Sequence, residues 1–578
     1  MKSNKYRDTY CGKVNEDFIG KKIKVSGWVE NIRDHGGVLF LDLRDMYGIL
    51  QIVSNDNSIF DNITRESVIC VEGIIRKRDK DTINDKISTG TIELLVDTLE
   101  VLSKSKNELP FEIITSKNSS EDVRLKYRYL DLRNKEVKDN ILFRSKVIKY
   151  IREKMQSMDF IEFQTPILTA SSPEGARDFI VPSRKHKDKF YALPQAPQIF
   201  KQLIMVSGFD KYFQIAPCFR DEDGRSDRTP GEFYQLDIEM SFATQDDILE
   251  IGEEILYDIF RKFSSKQVSE KPFMRISYKE SMLKYGTDKP DLRNPLIILD
   301  LTKEFEKTTF KPFVNSTVRA ITVHDISNKT NSWFNEIVDF ANSIGMPGIG
   351  YVTLENDGSL KGPIDKFLSD RERNILIEKC ELKTNSVLFF IADKNEIKAS
   401  KFAGKIRDEL GKKLDLINKN KFEFCIINDF PMYEWDEETE KYIFMHNPFS
   451  MPQGELEDPK DILAYQYDFV CNGVEIASGA VRNHDLNIMR KVFGIAGYDE
   501  NIIKEKFSSL YKAFQYGAPP HAGMAPGIDR MIMLLKDEEN IREVVLFPMN
   551  NNAQDLMMNS PSTITEQQLR DVHIKCRD

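Results

Sequence analysis

The chain has 578 residues, 40% hydrophobic and 30% charged, with a net charge of −10. That length predicts two to four domains rather than one core, and the composition excludes disordered and fibrous classes. No uncharged apolar run approaches the ~18–20 residues needed to span a bilayer, and the start, MKSNKYRDTYCGK, lacks the apolar stretch of a secretion signal, so a cytoplasmic protein without a membrane partner is expected. The negative charge argues against a general polyanion binder but leaves room for a local basic surface. Seven cysteines without a CxxC pair read as reduced thiols, and seven dispersed histidines offer no zinc spacing.

From about residue 20 to 103, KIKVSGWV, VLFLDLRD, GILQIV, SVICVEGIIRKR and TIELLVDTLEVL read as five short strands between polar or Gly-containing turns. Five closely spaced strands suit a small Greek-key barrel of the OB type, which commonly binds single-stranded nucleic acid, although other small barrels share the pattern. A polar stretch, SKSKNELPFEIITSKNSSEDVR, reads as a linker. Next, Ile141, Val147, Ile148, Ile151, Met155 and Met158 recur at steps of three and four, predicting a helix. FIEFQTPIL is then a strand candidate stopped by Pro166. Beyond about Pro290 the texture becomes mixed strand and helix to about Asn420, which reads as a domain inserted into a larger one.

The segment 219–239, FRDEDGRSDRTPGEFYQLDIE, carries the most chemistry. KYFQIAPCFR before the loop and EFYQLDIEMSF after it read as strands. In the second, Phe233, Gln235, Asp237, Glu239 and Ser241 share one face, and Tyr234, Leu236, Ile238, Met240 and Phe242 share the other. A solvated antiparallel face would show the same alternation, but the loop is long and dense in both charge signs, as functional loops tend to be. Arg220 there could grip a phosphate bidentately while Glu222 orients an amine or hydroxyl. In YDFVCNGVEIAS, Asn472-Gly473 signals a type I′ hairpin turn. That turn pairs Val470 with Glu475 and makes Asp468 a diagonal neighbour of Glu475. Two carboxylates so close repel unless a cation such as Mg²⁺ lies between them, although a surface acid pair reads the same way. Arg482 has the opposite parity and can share that face only if Ser478-Gly479 bulges. In HAGMAPGIDRMIMLL, Gly and Pro lead into an apolar helix with Asp529 and Arg530 near its start; a cation there asks for an anion nearby.

Taken in this order, FIEFQTPIL, FRDED…EFYQLDIE and GIDR resemble motifs 1, 2 and 3 of the class II aminoacyl-tRNA synthetases. SSPEGARDF, LPQAPQIFKQ and HAGMAPGIDR narrow the resemblance to the bacterial-type aspartyl-tRNA synthetases, over essentially the whole chain. The fold this implies is multidomain α+β: an N-terminal OB-fold β-barrel, a class II antiparallel sheet flanked by helices, and an inserted α/β domain. The expected division is 1–105 for the anticodon-binding barrel and 106–140 for a hinge. Catalytic parts follow at 141–288 and 421–560, with the insertion at 289–420 and a C-terminal extension at 561–578.

The resemblance implies activation of L-aspartate by ATP with Mg²⁺, in a homodimer. Arg220 then holds the ATP α-phosphate and the aspartate carboxylate, Glu222 meets the adenine amine, and Phe233 stacks on adenine with Arg530 on the other side. Asp221, Gly527, Ile528 and Asp529 complete the ATP-binding set, and Asp468 and Glu475 carry the metal. Gln198, Lys201, Asp237, His446 and Arg482 form the aspartate pocket, with Glu174 on a loop closing over the substrate amine. Lys201 and Arg482 would lack a partner beside a neutral amide and so reject asparagine. In the barrel, Phe40 could stack on an anticodon base, although a core aromatic reads the same way, and Arg33, Gln51 and Glu93 could read base edges. His35, where members restricted to tRNA(Asp) tend to carry Leu, and Thr82 imply charging of both tRNA(Asp) and tRNA(Asn). An amidotransferase partner would then convert Asp-tRNA(Asn). The alternatives are an enzyme restricted to tRNA(Asp) and a non-catalytic tRNA-binding paralogue. Two departures stand out: Asn447 follows His446 where the family often has a second histidine, and the motif 2 loop carries an additional Gly231.

Overall fold

A computed structural model describes residues 2–35, 38–171 and 176–577, with the side chains of His35, Val38 and Asn57 outside it. The chain forms two compact units, residues 1–116 and 117–578.

The first unit is a closed barrel of β1 (Lys22–His35), β2 (Val38–Arg44), β3 (Ile49–Val53), β4 (Val68–Lys77) and β5 (Ile92–Ser103), ordered β1-β2-β3-β5-β4. The β3–β5 pair is parallel and the other pairs are antiparallel. Alternate residues such as Val25, Leu41, Leu43, Ile52, Val71 and Leu94 fill the interior, as the period-two pattern requires. Closure bends the long β4–β5 ribbon at a bulge between Glu72 and Gly73. Gly73 is required there, because a Cβ would meet the Leu95 carbonyl oxygen at 2.1 Å.

In the second unit, the residues expected as hinge are partly helical: α1 (Glu121–Lys126) and α2 (Arg128–Asp131) lead into α3 (Lys135–Ser157). Arg124 and Arg128 anchor the short helices on the buried Asp131. FIEFQTPIL gives a much shorter strand than expected, β6 (Ile161–Glu162). Then follow β7 (Ile180–Pro182), β8 (Phe190–Ala192), α4 (Gln198–Val206), β9 (Lys211–Arg220), β10 (Gly231–Ser241) and α5 (Gln245–Phe263).

Among the described residues, the central sheet has nine strands. Its main path runs Met274–Ser277, Phe424–Pro431, Leu463–Cys471, Val474–Val481, His521–Pro526, β10, β9, β6. It is antiparallel except for parallel pairs at its two ends. Leu236 and Ile238 of β10 pack with Val147 and Ile151 of α3, Ile255 and Ile259 of α5, and Met531 and Ile532 of the helix Ile528–Leu535. Those helices cover one face of the sheet, and the polar residues of β10 are left to the other.

The insertion mixes strands and helices, as expected. Its five-stranded sheet, ordered Ile298–Asp300, Thr317–Val323, Val387–Asp393, Gly350–Leu354, Leu360–Lys361, is antiparallel throughout. Buried Arg407 ties the insertion's long helix Glu396–Lys413 to the carbonyls of Asp291, Asn294 and Leu296.

Candidate active site

The β9–β10 hairpin floors a cavity of about 520 Å³. Arg220 pairs with Gly231 where the two strands meet the loop. Gly231 has φ +81°, a conformation that suits glycine, so the additional residue serves as the strand-opening turn. Within the loop, Arg225 and Arg228 exchange backbone hydrogen bonds and Arg228 bonds Glu222 at 2.5 Å. The Arg220 guanidinium lies 5.0 Å from the Phe233 ring centroid, and its buried Nε has no hydrogen-bond partner.

Deeper in the cavity, four charged side chains form a closed set. Lys201 Nζ reaches Asp237 Oδ1 at 2.9 Å and Glu239 Oε2 at 3.2 Å. Arg482 donates from Nε and Nη2 to Glu239 at 2.8 and 3.1 Å and from Nη2 to the Gly523 carbonyl at 3.2 Å. This corrects the expectation that both cations wait for substrate, since each already faces a carboxylate. Burial pushes the Asp237 carboxyl up, against the pull of Lys201. Burial also opposes the Glu239 charge, but Arg482 and Lys201 outweigh it and hold that carboxyl below its ordinary range. Asp237 Oδ2 and Gln198 Nε2 are buried without partners. The backbone must come close for this set to form: a Cβ at Gly523 would meet Glu239 Oε2 at 1.9 Å.

His521, buried beside this set, has its pKa held down to about 4, chiefly by burial. Glu239 pulls it up, whereas Arg482 and His484 push it down. The folded value lies below the unfolded one, so stability is complete above about pH 6.5 and falls as the pH drops towards 4. Between pH 7 and 4.5 this histidine is expected to cost about 2–3 kcal/mol. Urea midpoints of wild type and His521→Asn should converge over that interval; parallel losses would refute the assignment.

Asn472 and Gly473 both have positive φ, 53° and 81°, as a type I′ turn requires. Val470 pairs with Glu475, but Phe469 pairs with Ala477, so Ile476 is the extra residue of a bulge. The bulge brings Glu475, Ser478 and Arg482 to one face. An extra residue was needed there, and it falls at Ile476 rather than Ser478-Gly479. Asp468 is buried, its Oδ1 is unpartnered, and its carboxyl is pushed well up by burial and then by Glu475. Lys289 Nζ lies 2.8 Å from Asp288 and 3.3 Å from Glu475. A buried acid with a vacant oxygen beside a second acid fits a hard cation, with phosphate completing the ligands. Among the described residues no three His, Cys, Asp or Glu side chains form a metal cage.

Of the other expected site residues, His446 lines the cavity with burial lowering its pKa, and its ring meets Phe430 edge-on at 5.1 Å. Gly527 precedes the helix Ile528–Leu535 and bonds the Ile476 carbonyl. Arg530 donates to the Glu475 carbonyl at 2.9 Å and pairs with Asp227 at 3.5 Å, so internal anions meet the cation at this helix start. Asp529 is engaged structurally, accepting from Arg144 and from the Tyr234 backbone. The Ile528 side chain is core, and Asp221 faces a neighbouring cleft with Arg177 and Arg225. Glu174 lies outside the described residues. Lys289 and Asp227 carried no signal in the sequence; both sit on loops, where no periodicity aims a side chain.

On the barrel, Arg33 bonds Asp42 at 2.7 Å and Gln51 at 3.3 Å, Gln51 bonds Glu93 at 2.8 Å, and Glu93 bonds Arg76 at 2.7 Å. This polar row crosses all five strands. Phe40 is half-buried and pairs with Arg33 across β1–β2. His35 ends β1, and its side chain lies outside the described set. The exposed Thr82 offers its carbonyl to Arg78 at 3.3 Å.

A barrel of OB topology and an antiparallel sheet bearing this charged cavity identify the class: the chain belongs to the class II tRNA synthetases (D, K and N). That family matches residues 120–551, and the OB-fold nucleic acid binding domain matches residues 23–102. Curated relatives are more particular. The Aspartate--tRNA(Asp/Asn) ligase of Ehrlichia ruminantium (strain Gardel) is 54% identical over 583 residues, 98% of this chain and 98% of its own length. The protein of the same name from Rickettsia canadensis (strain McKiel) is 51% identical over 590 residues, covering 99% and 98%. Among solved structures, asparaginyl-tRNA synthetase from Pyrococcus horikoshii complexed with asparaginyl-adenylate shares the fold at TM-score 0.57 and 20% identity, covering 93% and 97%.

Proposed function

We propose that this protein activates L-aspartate with ATP to aspartyl-adenylate and transfers the aspartyl group to the 3′ end of tRNA(Asp) and tRNA(Asn). One observation carries the chemistry: Arg220 Nε, Gln198 Nε2 and Asp237 Oδ2, three buried polar atoms without partners, belong to residues of one cavity. Such atoms are costly unless a polar ligand completes them. The relatives' names support aspartate and both tRNAs.

The aspartate α-carboxylate attacks the α-phosphorus in line; an O–P bond forms and pyrophosphate leaves with the electron pair of the broken P–O bond. The tRNA terminal hydroxyl then attacks the mixed anhydride, losing its proton and releasing AMP. The side chains position and neutralise rather than shuttle protons. Arg220 holds phosphate and carboxylate, Glu222 the adenine amine, and Phe233 and Arg530 the ring. Asp237 and Glu174 take the substrate amine, and Gln198, Lys201, His446 and Arg482 shape the remainder of the pocket. Asp468 and Glu475 would hold Mg²⁺, which supplies charge neutralisation on the phosphates.

Arg33, Phe40, Gln51 and Glu93 read the anticodon, with His35 and Thr82 admitting both third bases. Exposed Ile161, Ile167 and Leu168 support a homodimer, and an amidotransferase partner follows from charging tRNA(Asn). ATP–pyrophosphate exchange with aspartate, asparagine and lysine, followed by charging of both tRNA transcripts, is the test. Aspartate alone should support exchange and both tRNAs should be charged; charging of tRNA(Asp) alone would refute relaxed reading.

A further inference from the structure

The β7–β8 hairpin is short at its base and strongly basic at its tip. Pro182 pairs with Phe190, and residues 183–189 close the turn through Ser183 N–H to the Lys189 carbonyl at 2.9 Å. Arg184, Lys185, Lys187 and Lys189 are all exposed, against one acid, Asp188, in a chain whose net charge is −10. Among the described residues none of the four cations forms an ion pair. Elsewhere exposed lysines do find acids, as Lys22 does with Glu72 and Asp97. Four cations against one acid leave the tip a local positive surface.

The hairpin is rooted at the cavity. Leu193 N–H bonds the Phe179 carbonyl at 2.9 Å, and Phe219 N–H, one residue before Arg220, bonds the Pro194 carbonyl at 2.9 Å. From Ala192 to Lys187 an extended chain covers at most about 17 Å. The tip therefore stands off the cavity by a distance that a short unpaired RNA end can span. Exposed Phe190 and Tyr191 on β8 add one ring to each face of the hairpin.

We infer that this hairpin is an RNA-docking surface: its four cations grip backbone phosphates of the tRNA acceptor stem while the unpaired 3′ end runs to the cavity. The inference rests on the synthetase reading above. Phosphate contacts of this kind position the duplex without reading sequence and release bound counterions.

The test replaces Arg184, Lys185, Lys187 and Lys189 together by Gln. All four are exposed and, among the described residues, form no side-chain hydrogen bond or ion pair, so folding should be unaffected. At 0.1 M salt the Kd for tRNA(Asp) transcript is expected to rise about tenfold, and the slope of log K against log salt to shrink by about 3. Aspartate-dependent pyrophosphate exchange without tRNA should stay at the wild-type rate. An unchanged Kd and slope, with normal exchange, overturn the docking surface alone. A changed oligomeric mass at unchanged tRNA affinity also overturns it and makes the tip a contact with a second copy. Absence of exchange in the wild type would instead overturn the synthetase reading, and the inference with it.

Discussion

Arg482→Leu is expected to lower aspartate-dependent pyrophosphate exchange by at least about 10³-fold and to cost about 3–5 kcal/mol of stability. Both effects come from one side chain. Two of its nitrogens bind Glu239 and the Gly523 carbonyl, with burial opposing its charge and Glu239 outweighing that cost. Removing it leaves Glu239 buried with Lys201 as its one remaining ion-pair partner among the described residues. Its Nη1 has no hydrogen bond to a described residue, and on the proposed reading it is the donor to a substrate carboxylate. On the proposed reading, a neutral amide in that place would offer a weaker acceptor, and that difference would separate aspartate from asparagine.

A second variant separates the two losses. Arg482→Leu combined with Glu239→Leu removes the stranded carboxylate, and Lys201 keeps Asp237. Replacing a buried ion pair by apolar residues of similar volume is often close to neutral. Most of the stability should therefore return, measured by urea unfolding, while exchange stays lost. If exchange returns with stability, Arg482 is a structural residue and the pocket assignment fails.

The parity argument shows how far the sequence reaches. Alternation in EFYQLDIEMSF places Phe233, Gln235 and Asp237 in the cavity and Leu236 and Ile238 in the core, because a half-buried strand records both faces in its own residues. Asn472-Gly473 likewise fixes its turn, since few dipeptides accept two positive φ values. The need for an extra residue before Arg482 was also legible, but its position at Ile476 was not. Bulge placement depends on how Leu463–Cys471 and Val474–Val481 twist against their neighbours. The partnership of Lys201 and Arg482 with Glu239 was hidden for a similar reason. It joins α4, β10 and the residue that follows the strand Val474–Val481, 243 positions after Glu239, and no local pattern encodes such a meeting. FIEFQTPIL reads as a full strand, yet its ladder with β9 covers Ile161–Glu162 and ends where Phe163 N–H bonds the Phe213 carbonyl. Composition supplies the propensity for a strand, and pairing supplies its length.

Arg220→Ala should behave differently from Arg482→Leu: exchange falls by about 10³-fold or more, and stability barely moves. Arg220 forms no ion pair with a described residue, and its Nε is buried without a partner. Its contact with the Phe233 ring at 5.0 Å is worth roughly 0.5–1 kcal/mol. On the proposed reading, the side chain serves a ligand rather than the fold. Arg220→Lys keeps a charge but loses the planar fork, so it should recover little of the rate, because a point charge cannot bridge phosphate and carboxylate together. Thermal unfolding with and without ATP gives the independent readout. Wild type should gain stability on ATP binding as mass action requires. Arg220→Ala should match its ligand-free Tm and gain less. A large drop in ligand-free Tm, or near-normal exchange, would move Arg220 from the reacting phosphate to the scaffold.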